Sequence, residues 1–191
     1  MSGGGELMVR PGAIAVVGLG NVLLGDDGFG PWVIERLRAR WDAPPDVAFI
    51  DAGTPGLHLV SHLAGRDHVI LVDTVASKGE PGDLRFYRGE ALRRLTPKPR
   101  VSPHDPALVE ALGIADLAGE APQDVLLVGA IPRSVEVETQ LTAELEQAVI
   151  AAEAAVIAAL DKLGVVLRPR DSPQLEPPWW AGGRTAGPLV A

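Results

Sequence analysis

Short apolar runs alternate with amphipathic segments through the first half of the chain. The apolar runs cover residues 13–17, 47–50 and 69–72. Each run has the length of a buried strand. Between the first two, residues 31–40 and the following Trp41 place apolar side chains at helical spacing, with Pro31 tolerated in the first turn. A shorter helix is predicted over residues 57–63. The repeated order of strand, helix and strand predicts right-handed crossovers and a parallel sheet.

The second half of the chain departs from this pattern in one strand. Residues 78–83 are turn-forming, and a strand is predicted immediately afterwards over 84–87. So short a connection favours an antiparallel neighbour over another crossover. The remaining predicted elements are a helix over 106–112, a strand over 125–128 and a long helix over 142–163. Thr142 can cap the long helix, and Gly164 can end it. The pattern predicts an α/β fold with a mostly parallel sheet of about five strands and one antiparallel strand.

Composition changes at both ends of this patterned region. Residues 1–12 are rich in glycine, and residues 168–191 combine proline and glycine with two adjacent tryptophans, Trp179 and Trp180. Such segments bury too little apolar surface to order themselves. We therefore expect a flexible N-terminus over 1–12, a single domain over 13–167 and a flexible tail over 168–191. Two adjacent tryptophans are unusual in such a tail. Exposed apolar side chains of this size often indicate that the segment contacts another surface.

Bulk composition narrows the classes of function. A chain of 191 residues suits one domain with a substantial core. The formal charge of −8 argues against sequence-independent binding to the phosphate backbone of nucleic acid. The absence of cysteine excludes disulfides, thiolate metal ligands and a thiol nucleophile. No apolar stretch reaches the ~18 residues of a spanning helix, and the first residues do not resemble a signal peptide, so we expect a cytosolic enzyme without membrane contact.

A glycine-rich loop over residues 18–30 carries two adjacent carboxylates, Asp26 and Asp27. Its Gly-Leu-Gly-Asn start suggests a dinucleotide-binding fingerprint. However, Leu23 occupies the place of the third glycine, and two carboxylates would repel a bound pyrophosphate. No Gly-Lys-Ser/Thr sequence is present, which excludes a P-loop. An acidic first turn suits the dipole of the helix that begins near Pro31, but this explains one aspartate better than two.

Three residues are candidates for a metal site: Asp27, Asp73 and His104. Asp73 ends an apolar strand, and His104 lies between two prolines that restrict its backbone. In an open parallel sheet, sites form outside the carboxyl ends of the strands, where the winding reverses. If the first strand lies between the next two, Asp27 and Asp73 flank one crevice, with Asp51 at the same edge. Clustered acids are costly unless a cation neutralises them. The alternatives to a metal site are that Asp73 caps the turn that follows its strand and that His104 is an ordinary solvent-facing loop residue.

Six short motifs occur in an order that resembles the hydrogenase maturation proteases. They are Gly-Leu-Gly-Asn at 18–21, Asp-Asp-Gly-Phe-Gly at 26–30, Asp-Ala-Gly-Thr at 51–54, Val-Asp-Thr at 72–74, Ser-Pro-His at 102–104 and Val-Gly-Ala-Ile-Pro at 128–132. The resemblance covers roughly residues 13–163. It implies a three-layer sandwich, in which helices cover both faces of a twisted sheet. It also implies an endopeptidase that removes the C-terminal extension of a nickel–iron hydrogenase large-subunit precursor.

The resemblance assigns roles to individual residues. The family's metal site consists of the second acid of the first loop, the aspartate ending the third strand and the histidine after the hairpin strand. These positions correspond to Asp27, Asp73 and His104 in this chain. Asp27 stands where the family allows aspartate or glutamate, and residues 129–132 read Gly-Ala-Ile-Pro where Gly-Ile-Gln-Pro is usual. Oxygen and imidazole ligands suit nickel, zinc, manganese or iron. The resemblance favours recognition of nickel already inserted in the precursor over a catalytic metal.

Several alternatives stay open at the level of the sequence. If a carboxylate acts as general base, Asp27 is the candidate and Asp26 the alternative. The competing functions are a non-catalytic, nickel-dependent chaperone of the precursor and a hydrolase of similar fold with a different substrate. Trp179 and Trp180 have two candidate partners, namely this domain and the hydrogenase precursor.

Overall fold

The computed structural model describes residues 13–93, 105–173 and 178–181. The strands in these ranges are β1 (Ile14–Leu19), β2 (Trp41–Asp42), β3 (Val47–Gly53), β4 (His68–Thr74), β5 (Leu84–Arg88), β6 (Asp124–Ala130) and β7 (Arg168–Pro169). The α-helices are α1 (Phe29–Arg40), α2 (Leu59–Leu63), α3 (Gly89–Arg93), α4 (Asp105–Leu117) and α5 (Ala143–Lys162). Short 3-10 helices cover Gly25–Gly28, Gly56–His58 and Trp179–Ala181.

The main sheet has five strands in the order β3-β1-β4-β6-β5. β1 lies between β3 and β4 and is parallel to both, so the winding reverses at β1, as the predicted site requires. β5 is antiparallel, as predicted, but its neighbour is β6 rather than the preceding strand β4. The reason is burial. Almost all of β6 is buried and suits a place inside the sheet, whereas β5 is partly exposed along its length and forms the edge.

Alternate residues of the central strands face two separate apolar clusters. On one face, Ile14 and Val16 of β1 pack with side chains of α1 and α5. On the other, Ala15 and Val17 pack with side chains of α2 and α4. This alternation follows from the two-residue period of a strand. The result is the predicted sandwich of helices, sheet and helices, and the predicted fold class is confirmed.

The first turn of α1 lies directly on the sheet because Gly30 has no side chain. A Cβ atom at Gly30 would lie 2.2 Å from the carbonyl oxygen of Leu19 and 2.4 Å from that of Val72. These oxygens belong to β1 and β4, so the close approach sets the start of α1 over the carboxyl ends of both strands. The loop that precedes α1 is thereby held at the edge where a site was predicted.

Glu153, a buried carboxylate of α5, links that helix to α1. Glu153 of α5 is 5 % exposed and forms ion pairs with Arg36 and Arg40 of α1. It also accepts a hydrogen bond from the indole N–H of Trp41, at 2.8 Å. The charge is thus compensated by neighbouring cations, as a buried carboxylate requires.

The two ends of α5 differ in how well the sequence predicted them. Thr142 occupies the N-cap position, but its side chain does not cap the helix. Its hydroxyl donates instead to Asp26, at 3.0 Å, so the predicted capping role is wrong. At the other end, Gly164 follows the helix with φ of +80°, and the N–H of Val165 donates to the carbonyl of Leu160. Gly164 therefore ends the helix as predicted.

Parts of the predicted flexible tail pack on the domain. Arg168–Pro169 pairs with Trp41–Asp42 as a small antiparallel sheet. Trp180 is 8 % exposed and meets Trp32 of α1 edge to face, at 6.1 Å between ring centroids, whereas Trp179 is 77 % exposed. The apolar area of Trp180 stabilises this contact. These residues therefore pack on the domain, where the composition of the tail predicted flexibility. Residues 1–12 lie outside the described residues. Within the described part of the chain, no helix is both long and apolar enough to cross a membrane.

Candidate active site

A tight loop carries the two adjacent carboxylates from the end of β1 to the start of α1. Gly20 begins this loop with φ of +133°, and a Cβ atom there would lie 1.8 Å from the carbonyl oxygen of Asp27. Glycine is therefore required at this position. The backbone N–H of Gly25 donates to the carbonyl of Glu138, and the N–H of Glu138 donates to that of Leu23. These bonds fix the loop against the segment that follows β6.

Asp26 is fully buried and accepts four hydrogen bonds. Three come from backbone N–H groups, those of Arg133 at 2.8 Å, Ser134 at 3.1 Å and Thr142 at 2.8 Å. The fourth comes from the Thr142 hydroxyl. Both carboxylate oxygens are engaged, so Asp26 ties the loop after β1 to the loop after β6 and to the start of α5.

Asp27 is also fully buried, but its side chain lies toward β4. Its Oδ2 accepts the backbone N–H of Asn21 at 2.9 Å, and its Oδ1 accepts the hydroxyl of Thr74 at 3.3 Å. Asp73, at the end of β4, is 4 % exposed and accepts the backbone N–H of Thr74 at 2.7 Å. Thr74 thus bridges the two carboxylates, which lie at one edge of the sheet. The two neighbouring aspartates, Asp26 and Asp27, reach opposite sides of the same loop.

Asp51 lies at the carboxyl end of β3, the strand on the other side of β1. Its Oδ1 accepts the backbone N–H of Gly53 at 3.0 Å, which is the turn-capping role expected of an aspartate at a strand end. Asp51 is therefore at the edge where it was predicted, with a local structural contact of its own.

His104, the third predicted ligand, lies outside the described residues. Among the residues that the structure describes, no group of three histidine, cysteine, aspartate or glutamate side chains is arranged to hold a metal ion. The complete set of Asp27, Asp73 and His104 therefore stays a prediction. The carboxylates of Asp27 and Asp73 supply oxygen donors from adjacent strands, and such donors suit a divalent cation.

Two residues of this crevice were missed at the level of the sequence. Thr74 supplies both the hydroxyl that reaches Asp27 and the amide that reaches Asp73. Asn21 supplies the amide that holds the other oxygen of Asp27. Both lie within quoted motifs, Thr74 at the last position of β4 and Asn21 two residues after β1, and this was the available signal. Every residue except proline has a backbone N–H, so the sequence does not show which amides will bind a carboxylate.

A cavity of about 260 Å³ adjoins the crevice. Its walls include Asn21 and Val22 from the first loop, Asp51 and Thr54 after β3, and Trp179 and Trp180 from the tail. Asn21 belongs to both sites, because its N–H donates to Asp27. An occupant of the cavity would therefore lie next to the buried carboxylates.

Comparisons with known proteins agree on one family. A model of the hydrogenase maturation protease family (HycI) matches residues 31–159. The hydrogenase 2 maturation protease of Escherichia coli (strain K12) is 37 % identical over 160 residues, which cover 83 % of this chain and 97 % of that protein. The structure of the hydrogenase maturating endopeptidase HybD from E. coli has a TM-score of 0.78 at 37 % identity, covering 82 % of this chain and 97 % of that one. The solution structure of an endopeptidase from Escherichia coli has a TM-score of 0.78 at 38 % identity, covering 83 % and 99 %.

Proposed function

This chain belongs to the hydrogenase maturation protease family and is an endopeptidase, and we propose that it removes the C-terminal extension of a nickel–iron hydrogenase large-subunit precursor after nickel insertion. The nickel ion is part of the substrate. Asp27, Asp73 and His104 recognise it, so that a precursor without nickel is not cut. The observation that carries the proposal is the pair of buried carboxylates at one sheet edge, joined through Thr74.

The energetics of the crevice support a role for a cation. Two carboxylates in neighbouring buried positions disfavour each other's charge, and a divalent ion between them reverses that effect. Asn21 and Thr74 hold the two oxygens of Asp27 in place. A ligand held in this way loses little freedom when it binds a metal. Nickel accepts both carboxylate and imidazole ligands, which matches the predicted set.

The geometry favours Asp27 over Asp26 as the carboxylate that acts on the substrate. Asp26 accepts four hydrogen bonds that tie the first loop to the loop after β6 and to the start of α5, which gives it a structural role. Asp27 lies beside the cavity wall at Asn21, where an extended substrate would pass.

The first experiment compares ligand variants on nickel-loaded precursor. We expect Asp27→Asn and His104→Ala to reduce release of the C-terminal extension by roughly 100-fold or more, because a neutral amide or a methyl group is a poor metal ligand. Mass spectrometry of the precursor measures release. Asp116→Asn on the exposed surface of α4 is the matched control and should cleave normally. Normal cleavage by either ligand variant would remove that residue from the site. A precursor that binds without shortening would indicate a chaperone instead.

A further inference from the structure

The tail of the chain forms one wall of the cavity beside the buried carboxylates. Trp180 is held in place by its edge-to-face contact with Trp32 of α1 and is 92 % buried, since its exposed fraction is 8 %. Trp179 packs on Trp180 at nearly a right angle, with 5.6 Å between ring centroids, but remains 77 % exposed. One tryptophan is therefore an anchor, and the other presents apolar surface to solvent.

The indole N–H of Trp180 has no acceptor among the residues that the structure describes. A tryptophan side chain has this single polar group, which can only donate. Burial of a donor without a partner is unfavourable, and native proteins rarely leave one in that state. Because Trp180 lines the cavity, an occupant that supplies a hydrogen-bond acceptor would satisfy it.

The surroundings indicate what kind of occupant fits. Leu23, on the loop after β1, and Leu57, in the 3-10 helix after β3, are 48 % and 55 % exposed at the same edge as Trp179. An apolar partner would cover these side chains. Asp51 in the cavity wall disfavours an anion, so the acceptor is an uncharged oxygen. The volume of about 260 Å³ is below the ~300–1,000 Å³ of typical small-molecule pockets, which argues against a separate small-molecule site.

We propose that this cavity is a peptide subsite for the precursor, in which the Trp180 indole N–H donates to a backbone carbonyl and Trp179 covers an apolar side chain near the scissile bond. The inference rests on the proposed function, because it takes the precursor as the occupant. Asn21 connects the subsite to Asp27, so peptide bound here lies beside the carboxylates. The tail thereby contributes directly to the substrate-binding surface.

Cleavage kinetics on nickel-loaded precursor test the subsite. Trp180→Phe keeps an aromatic ring and removes the donor, so KM should rise roughly threefold to tenfold while kcat stays unchanged. The melting temperature is measured alongside, because the smaller ring also removes buried packing. Trp179→Ala should also raise KM, with a small effect on stability because the side chain is 77 % exposed. Leu117→Ala, at a 92 % exposed position of α4, is the control and should leave KM unchanged.

The outcomes separate the subsite from the function. If the wild-type protein cleaves the precursor and both tryptophan variants keep its KM, the subsite is overturned and the proposed function stands. If the wild-type protein does not cleave the nickel-loaded precursor, the proposed function fails, and the subsite with it. If Trp180→Phe lowers the melting temperature, Trp179→Ala decides alone, and an unchanged KM in that variant overturns the subsite.

Discussion

Asp26 and Asp27 show how two identical neighbours acquire different roles from their partners. Asp26 accepts three amides and a hydroxyl from the segment that follows β6, whereas Asp27 lies between Asn21 and Thr74 beside Asp73. The sequence predicted that both acids lie in a loop at the sheet edge. It could not separate their roles, because the partners of Asp26, mostly backbone amides, lie more than a hundred residues away along the chain; Arg133, for example, is 107 residues away.

Asp26→Asn tests the structural role of the first acid. The amide would place a donor against backbone donors in a fully buried position, so we expect the free energy of unfolding to fall by about 2–3 kcal/mol. Urea unfolding measures this change, with the exposed Asp116→Asn as control. Unchanged stability combined with lost cleavage would instead identify Asp26 as the general base.

The main elements were predictable wherever one pattern extended over enough residues. β1, β3, β4 and β6 are apolar runs, and the order of elements predicted their parallel arrangement. The two-residue pair of β2 and β7 carries no pattern of that length, and the five-residue α3 was also missed. The contact of Trp180 with Trp32 joins distant parts of the chain, so the composition of the tail alone predicted flexibility where the structure has packing.

Glu153→Gln tests the link between α1 and α5. The substitution leaves Arg36 and Arg40 beside a neutral side chain, and we expect a loss of about 3 kcal/mol in the free energy of unfolding. This is the low end for a buried pair, because the Arg40 side chain is 33 % exposed. Thermal or urea unfolding measures the change, with Glu110→Gln on the exposed surface of α4 as control. A loss below about 0.5 kcal/mol would mean that the apolar packing of α5 suffices without the ion pairs.

At the scale of the whole molecule, the candidate site residues that the structure describes, Asp27 and Asp73, lie at one edge of the sheet. The loops after β1, β3, β4 and β6 and the packed part of the tail all meet there. This follows from the topology, since parallel strands place their carboxyl ends together and the winding reverses at β1. The sequence predicted this edge because the order of elements implies it. The position of His104 could not be obtained from the same rule, and its place in the site stays a prediction.

The dependence of cleavage on nickel tests the account most directly. Purified protein would be incubated with the same precursor in nickel-loaded and nickel-free forms, and release of the C-terminal extension followed by mass spectrometry. We predict that only the nickel-loaded precursor is shortened, because in the proposed function the metal links the substrate to Asp27, Asp73 and His104. Cleavage of the nickel-free precursor at an equal rate would contradict recognition through the metal.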